Sequence, residues 1–329
     1  MAHEITQRAD GVFEFAFNAA HGAGWHGLGQ PVSTEHVHDV AHWQQAAGMD
    51  WRIQRSKVRF SVSRDDADGA QVWDDQHVLF RSDTKAPLGI VSDGYKAVQP
   101  REVVEFFRGL VEAGGLELSA MGTLQGGRRF WATARIGEAA PLSVRDKVGG
   151  YLLLSTSADG SMATEARLTS IRVVCANTLG FARAAGKPTV KVSHRSTFDA
   201  DAVRREMGLN VTAWDAFRRS IIKLGNVATT PREAEALTAR IFAGTDDQAA
   251  QDKIRDTGRG FAKVLSLFGG EGKGATLDGV FGTRWGLLNA FTEYADHHAP
   301  ARSAENRFIA SQFGPGADLK REAFEVLMA

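Results

Sequence analysis

Hydrophobic and polar residues alternate in KVRFSVS (57–63). Val58, Phe60 and Val62 fall on one side, Lys57, Arg59 and Ser61 on the other. A period of two predicts a half-buried strand. HVLFR (77–81) and LGIVSDGY (88–95) read as further strands, the second closing on the turn signal Asp93-Gly94. The period then changes. In PREVVEFFRGLVEAGG, Pro100 takes the first helical position, and Val103, Val104, Phe106, Phe107, Leu110 and Val111 form one apolar face. Gly114 and Gly115 stop this helix. LELSAMGTL and RRFWATARI follow as two strands around a Gly-Gly turn. After them come YLLLSTS (151–157), a segment through 165–175, and TVKVSHR (189–195).

From about residue 200 the apolar spacing is helical. DADAVRREMG opens this part, and Val211, Trp214, Phe217, Ile221 and Leu224 recur at helical intervals over 211–224. Thr230-Pro231-Arg232-Glu233 is a capping box with proline at the first helical position, which predicts a helix over 231–243. Further helices are expected at 247–268, 284–298 and 317–328, with the glycine-rich 269–283 between them as a mobile loop. The expected fold class is α+β. An antiparallel β-sheet with a β-hairpin and a packed amphipathic helix fills the first half, and the second half is mainly helical. The division falls near residue 200, with a β-rich domain over 1–200 and a helical region over 201–329 packed on it.

Composition adds limits. The chain has 329 residues, 43% hydrophobic and 24% charged, which is the range of a folded globular protein. A single cysteine excludes an internal disulfide and multi-cysteine zinc or iron–sulfur sites, and fits a reducing, cytoplasmic setting. The start MAHEITQRADG has no apolar core of a signal peptide, and no apolar run is long enough to span a membrane. The net charge is zero but unevenly spread. Residues 1–120 carry 11 basic and 17 acidic groups, whereas residues 161–232 carry 12 and 5, a local excess of +7. Such a block suits an anionic partner and equally suits a solvated face.

The candidate chemistry follows the basic strands. In RRFWATARI, Arg129, Trp131, Thr133 and Arg135 share one face, and Phe130, Ala132, Ala134 and Ile136 the other. Lys57 and Arg59 repeat the cationic theme on one strand, and Lys191, Ser193 and Arg195 on another. Cations beside an aromatic ring suit single-stranded nucleic acid, where phosphates pair with the cations and bases stack on the ring. Without such a partner, the same pattern is the solvent face of a half-buried sheet. Cys175 and His194 raise a nucleophile pair. Cys175 follows the apolar Ile171-Arg172-Val173-Val174, where a thiol acts as a small hydrophobe, and no cysteine-hydrolase signature surrounds it. Asn177, just after it, is a turn former able to contact a phosphate. Asn289, Glu293 and His297 form a polar stripe on the helix 284–298, beside Asp296. The spacing is not that of a zincin, and a network joining two helices is the expected role. GGEGKGAT does not satisfy the phosphate-loop pattern, because Gly274 follows Lys273.

Several stretches taken together resemble a known family. GWHGLGQPV, LGIVSDGYKAVQPREVVEFF, GTLQGGRRFWATARI, RVVCANTL with the later SHR, and GTRWGLLNAFTEYADHH are similar to the phage/plasmid-like protein family, domain of unknown function 932. The resemblance runs from about Trp25 to Leu327 and implies a mobile-element protein without a settled activity. At the level of element order, the chain also resembles the ring-forming single-strand annealing proteins of the Erf-like and Bet-like groups.

These readings converge on an expectation. The protein binds single-stranded DNA as a ring or filament and promotes annealing or recombination, without catalysis, metal or nucleotide cofactor. Its contacts are Lys57, Arg59, Arg129, Trp131, Arg135, Arg172, Asn177, Lys191, His194 and Arg195. The alternatives are a module that binds and counters a host protein through the first 120 residues, and a hydrolase centred on Cys175/His194 or on Glu293/His297.

Overall fold

The computed structural model describes residues 7–8, 10–21, 29–61, 70–105, 116–141, 147–161, 164–172, 177–180, 189–192 and 211–329. Two sheets form the first half. The strands are β1 (Phe15–Asn18), β2 (Gln30–Val32), β3 (Ile53–Phe60), β4 (Gln71–Arg81), β5 (Pro87–Ser92), β6 (Glu117–Leu124), β7 (Arg129–Pro141), β8 (Lys147–Ser157), β9 (Thr164–Arg172), β10 (Asn177–Gly180) and β11 (Thr189–Val192). The large sheet runs β10-β9-β8-β7-β6-β1-β2, with β11 also pairing with β9. The small sheet is β3-β4-β5. All pairings are antiparallel except β1 with β2. The expected α+β class with antiparallel sheets is therefore the observed one.

The β6–β7 hairpin turns through Gln125–Gly127, and Gly127 there has φ +94°. A Cβ on Gly127 would lie 2.6 Å from the Trp51 ring, so both the backbone and the packing require glycine. One face of β7 is core as expected, with Phe130, Ala132, Ala134 and Ile136 buried. The helix opened by Pro100 is described over 100–105, where Val103 and Val104 are buried. Its continuation lies outside the described residues, as does DADAVRREMG.

The second half is helical: α2 (Val211–Gly225), α3 (Pro231–Ala243), α4 (Gln248–Thr257), α5 (Arg259–Ser266), α6 (Arg284–Glu293), α7 (Ala304–Phe313) and α8 (Pro315–Met328). In α3 the Thr230 hydroxyl accepts from the Glu233 N–H and the Glu233 carboxylate accepts from Thr230, the reciprocal box expected of this sequence. The single helix expected over 247–268 is two, because Gly258 takes an extended conformation between them. The helix expected over 284–298 ends as α-helix at Glu293 and continues as one π-helical turn, Tyr294–His298. Every residue of α6 from Trp285 to Glu293 is buried, so it is the central helix of this half rather than an amphipathic surface one. Two helices lack a clear apolar stripe in the sequence. One is α1 (Val40–Ala46), capped by Asp39, and the other is α7, capped by Ser303. The glycine-rich 269–283 is pinned at the buried Val280, while Phe281 beside it is exposed. A continuous apolar cluster runs from Ala16 and Trp43 through the sheet residues Phe130 and Leu152 to Trp214, Phe291 and Leu327.

Candidate nucleic-acid interface

The three cationic strands do not lie in one sheet. β7 and β11 belong to the large sheet, while β3, with Lys57 and Arg59, belongs to the small one. Lys57 is ion-paired with Asp74 across the β3–β4 ladder, and this holds the Asp74 carboxyl below its usual pKa. Arg55 is likewise committed to Asp93 at 2.5 Å. Arg59 is exposed and forms no ion pair among the described residues.

On β7, Arg129, Trp131 and Arg135 are half-buried. The reason is helix α7. Trp131 stacks on Phe15 at 5.6 Å between ring centroids and meets Phe308 of α7 at 6.1 Å. On β9, Arg167 donates to the Gln312 carbonyl and lies over the Phe313 ring at 5.0 Å. Burial holds the Arg167 guanidinium below its usual pKa. Thr133, Leu153 and Ser155, which share this face through the β7–β8 register, are buried. The helical half thus covers the middle of the face on which Trp131 sits. Trp131 serves as packing between β1 and α7, and much of its ring is taken. Arg129 remains at one end, touching Ser161 at 3.4 Å, and Arg135 at the other.

Arg172 lies in β9 opposite Asn177 of β10, and Lys191 lies in β11 opposite Glu165 of β9. These backbones are therefore neighbours on one side of the large sheet. Cys175, His194 and Arg195 lie outside the described residues.

An aromatic surface that the sequence pattern does not single out stands elsewhere. β5 pairs with β4 only over Gln76–Phe80, so the outer parts of β3 and β4 project as a two-stranded arm. Phe60, Val72 and Trp73 on this arm are exposed, Trp73 by 52%. Val58 faces Trp73, and Arg59 faces Val72. The polar run QVWDDQ hides this strand, because neither face is buried and no alternation results.

The polar stripe of α6 is inside the helical half. The Asn289 side chain donates to the Trp285 carbonyl at 2.8 Å. Glu293 accepts from the Lys273 N–H at 2.9 Å and so anchors the glycine-rich loop. The π-helical turn brings the His298 imidazole to 3.7 Å from Glu293. Burial, then the Lys263 charge, holds His298 below its usual pKa despite Glu293. Asp296 pairs with the buried Lys320 at 2.8 Å. This is a network joining helices and a loop, as the spacing suggests. Among the described residues, no group of three or more His, Cys, Asp or Glu is placed to hold a metal ion. No described helix is long and apolar enough to cross a membrane.

Comparison with curated proteins and with solved structures gives no match. A family model described as a domain of unknown function, DUF932, matches residues 87–312. That span takes in β5 through β11 and the helices up to α7, including the β7 face and the buried network of α6. It leaves out the β3–β4 hairpin and the GWHGLG stretch. The chain belongs to the DUF932 family.

Proposed function

We propose that the protein binds single-stranded DNA and promotes strand annealing or recombination as an oligomer. The observation that carries this reading is the availability of three arginines. Arg59, Arg129 and Arg135 form no ion pair among the described residues, whereas Lys57 and Arg55 are neutralised by Asp74 and Asp93. A cation without a carboxylate partner can exchange small counterions for phosphates, and each such exchange adds to affinity and to its salt dependence. The stacking role assigned to Trp131 passes to Trp73 and Phe60, which expose their rings on one face of the arm, with Arg59 on its other face. Single subunits carry few cations, so repetition around a ring or filament turns weak sites into a strong one. The analogy with Erf-like and Bet-like annealing proteins, a phage or plasmid origin and a cytoplasmic setting belong to this same reading.

A second reading has its own observation. Phe60 and Trp73 make an exposed apolar patch on one face of a projecting arm, which also suits a protein partner. Anisotropy of a labelled single-stranded oligonucleotide, measured across a salt series with light scattering alongside, separates the two. Binding that weakens steeply with salt on a large assembly supports the DNA reading. No binding at low salt removes it and leaves the protein partner.

A further inference from the structure

A second polar cluster lies at the far end of the β7 face and shares only Arg135 with the DNA reading. β1 ends at Asn18, and the turn Ala19–His21 swings His21 back over β6. Asn18 is fully buried and fixes this geometry. Its side-chain oxygen accepts from the Ala20 N–H at 2.9 Å, and its amide donates to Glu117 at 2.9 Å and to the Leu118 carbonyl. His21 then touches two side chains of β6. Its Nε2 is 3.1 Å from Glu117 Oε2, and its Nδ1 is 3.3 Å from Ser119 Oγ.

The chemistry of these three groups is ordered. A carboxylate only accepts, so in the neutral imidazole Nε2 carries the proton and Nδ1 is left to accept from the Ser119 hydroxyl. Ser119 occupies a β-bulge: Leu118 faces Ala134 and Ala120 faces Thr133, so Ser119 is the extra residue with no partner on β7. Bulges re-aim side chains and recur beside active sites. The Tyr151 hydroxyl lies near Ser119, and burial holds this phenol above its usual pKa against the pull of Arg135. Arg135 is the cross-strand neighbour of both Glu117 and Tyr151. Ser119, Tyr151 and Arg135 are all half-buried, so the group is reachable from solvent.

We propose that Ser119, His21 and Glu117 form a nucleophile–base–carboxylate relay that cleaves an ester bearing an anionic group, with Arg135 holding that group. Ser119 Oγ attacks the ester carbonyl carbon while its proton passes to His21 Nδ1. The C–O bond to the alcohol then breaks, and His21 returns the proton to the departing alcohol. Water, deprotonated by His21, releases the acyl group as a carboxylic acid and restores the serine. Glu117 keeps the imidazole in the required tautomer and stabilises its cation, the role that a third group plays in such relays.

The test is reaction of the full chain with an alkyl fluorophosphonate, followed by peptide mass spectrometry. In this reaction the serine oxygen bonds to phosphorus, fluoride leaves, and His21 takes the proton. The expected adduct is on Ser119 and is absent from the heat-unfolded chain. His21→Gln slows labelling by about 100-fold or more. The intact protein also hydrolyses the p-nitrophenyl monoester of succinate in preference to p-nitrophenyl acetate, and Arg135→Ala removes that preference. No adduct, an adduct on another serine, or equally fast labelling of the heat-unfolded chain overturns the proposal, whether or not the variants fold.

Discussion

Arg81 and Glu14 form an ion pair at 2.7 Å in which the two side chains are 3% and 1% exposed. The pair joins the two sheets. Arg81 ends β4 of the small sheet, and Glu14 immediately precedes β1 of the large one. Thr123 of β6 donates to the same carboxylate. The guanidinium also reaches the Gly126 carbonyl at 3.2 Å and lies over Trp51 at 4.2 Å. Removing Arg81 would strand the Glu14 carboxylate in the interior, whereas removing Glu14 leaves the guanidinium paired with Asp83 at 2.7 Å. Glu14→Ala is therefore expected to cost about 1–3 kcal/mol, the penalty of a lost buried hydrogen-bond partner, read as a lowered midpoint in urea unfolding. Glu14→Gln, which still accepts a hydrogen bond, should cost less. A Glu14→Ala protein as stable as the original would show that Arg81 can be satisfied by Asp83 alone.

Asp83 gives this junction a pH dependence. Its bond to Arg81, helped by the Thr84 N–H, holds the carboxyl at about 2 against the opposing effect of burial. An unfolded aspartate titrates near pH 3.9. The folded pKa is lower than the unfolded one, so the stabilising contribution is complete above about pH 4. It is lost as the pH falls towards 2. Asp83→Asn should therefore flatten the acid limb of a stability-against-pH curve between about pH 4 and pH 2 and leave the slope near neutrality unchanged. An acid limb of unchanged steepness in the variant would contradict the assignment.

The pair of Asp296 and Lys320 answers a different question. Lys320 is buried, and burial lowers its pKa even with Asp296 beside it. Taking two charges out of water costs about as much as their attraction returns. Asp296→Ala alone is expected to destabilise by about 3 kcal/mol or more, because the buried ammonium loses the carboxylate beside it. The double variant Asp296→Leu with Lys320→Met should recover most of that loss. Thermal melting of the two single variants and the double one gives the coupling directly. If the double variant is as unstable as Asp296→Ala, then the network around α6 needs these charges for more than mutual compensation.

How much of this is legible in the sequence follows from where each signal sits. Thr230 and Glu233 are three residues apart, and the helix they open can be placed to the residue because capping is a local matter. The strand period of β7 is equally local. What covers that strand is not. Phe15 and Phe308, which pack on Trp131, lie in distant parts of the chain, so a half-exposed ring and a free stacking platform give the same local pattern. The cluster of His21 and Ser119 is hidden for a similar reason, since it needs β1 beside β6 and a bulge in β6. The split at Gly258 is written in the sequence as a glycine, but the helical periodicity continues across it. The polar stripe of α6 is a network, as its spacing suggests, and the π-helical turn brings His298 as well to Glu293.

The contrast between Trp131 and Trp73 gives the sharpest prediction for the DNA reading. Trp131 is wedged between β1 and α7, and Trp73 stands out on the β3–β4 arm. Stacking of one base on an exposed ring is worth about 1–3 kcal/mol. Trp73→Ala is thus expected to weaken binding of a single-stranded oligonucleotide by about 5-fold to 150-fold. It should move the unfolding free energy by no more than about 0.5 kcal/mol, as for other exposed positions. Trp131→Ala should do the opposite, lowering the melting temperature through poorer packing. Arg129→Ala with Arg135→Ala should flatten the dependence of log affinity on log salt by about 0.7 for each phosphate no longer neutralised. Should Trp131→Ala weaken binding without touching stability while Trp73→Ala does nothing, then the strand would have to run along β7, and α7 would have to move aside to admit it.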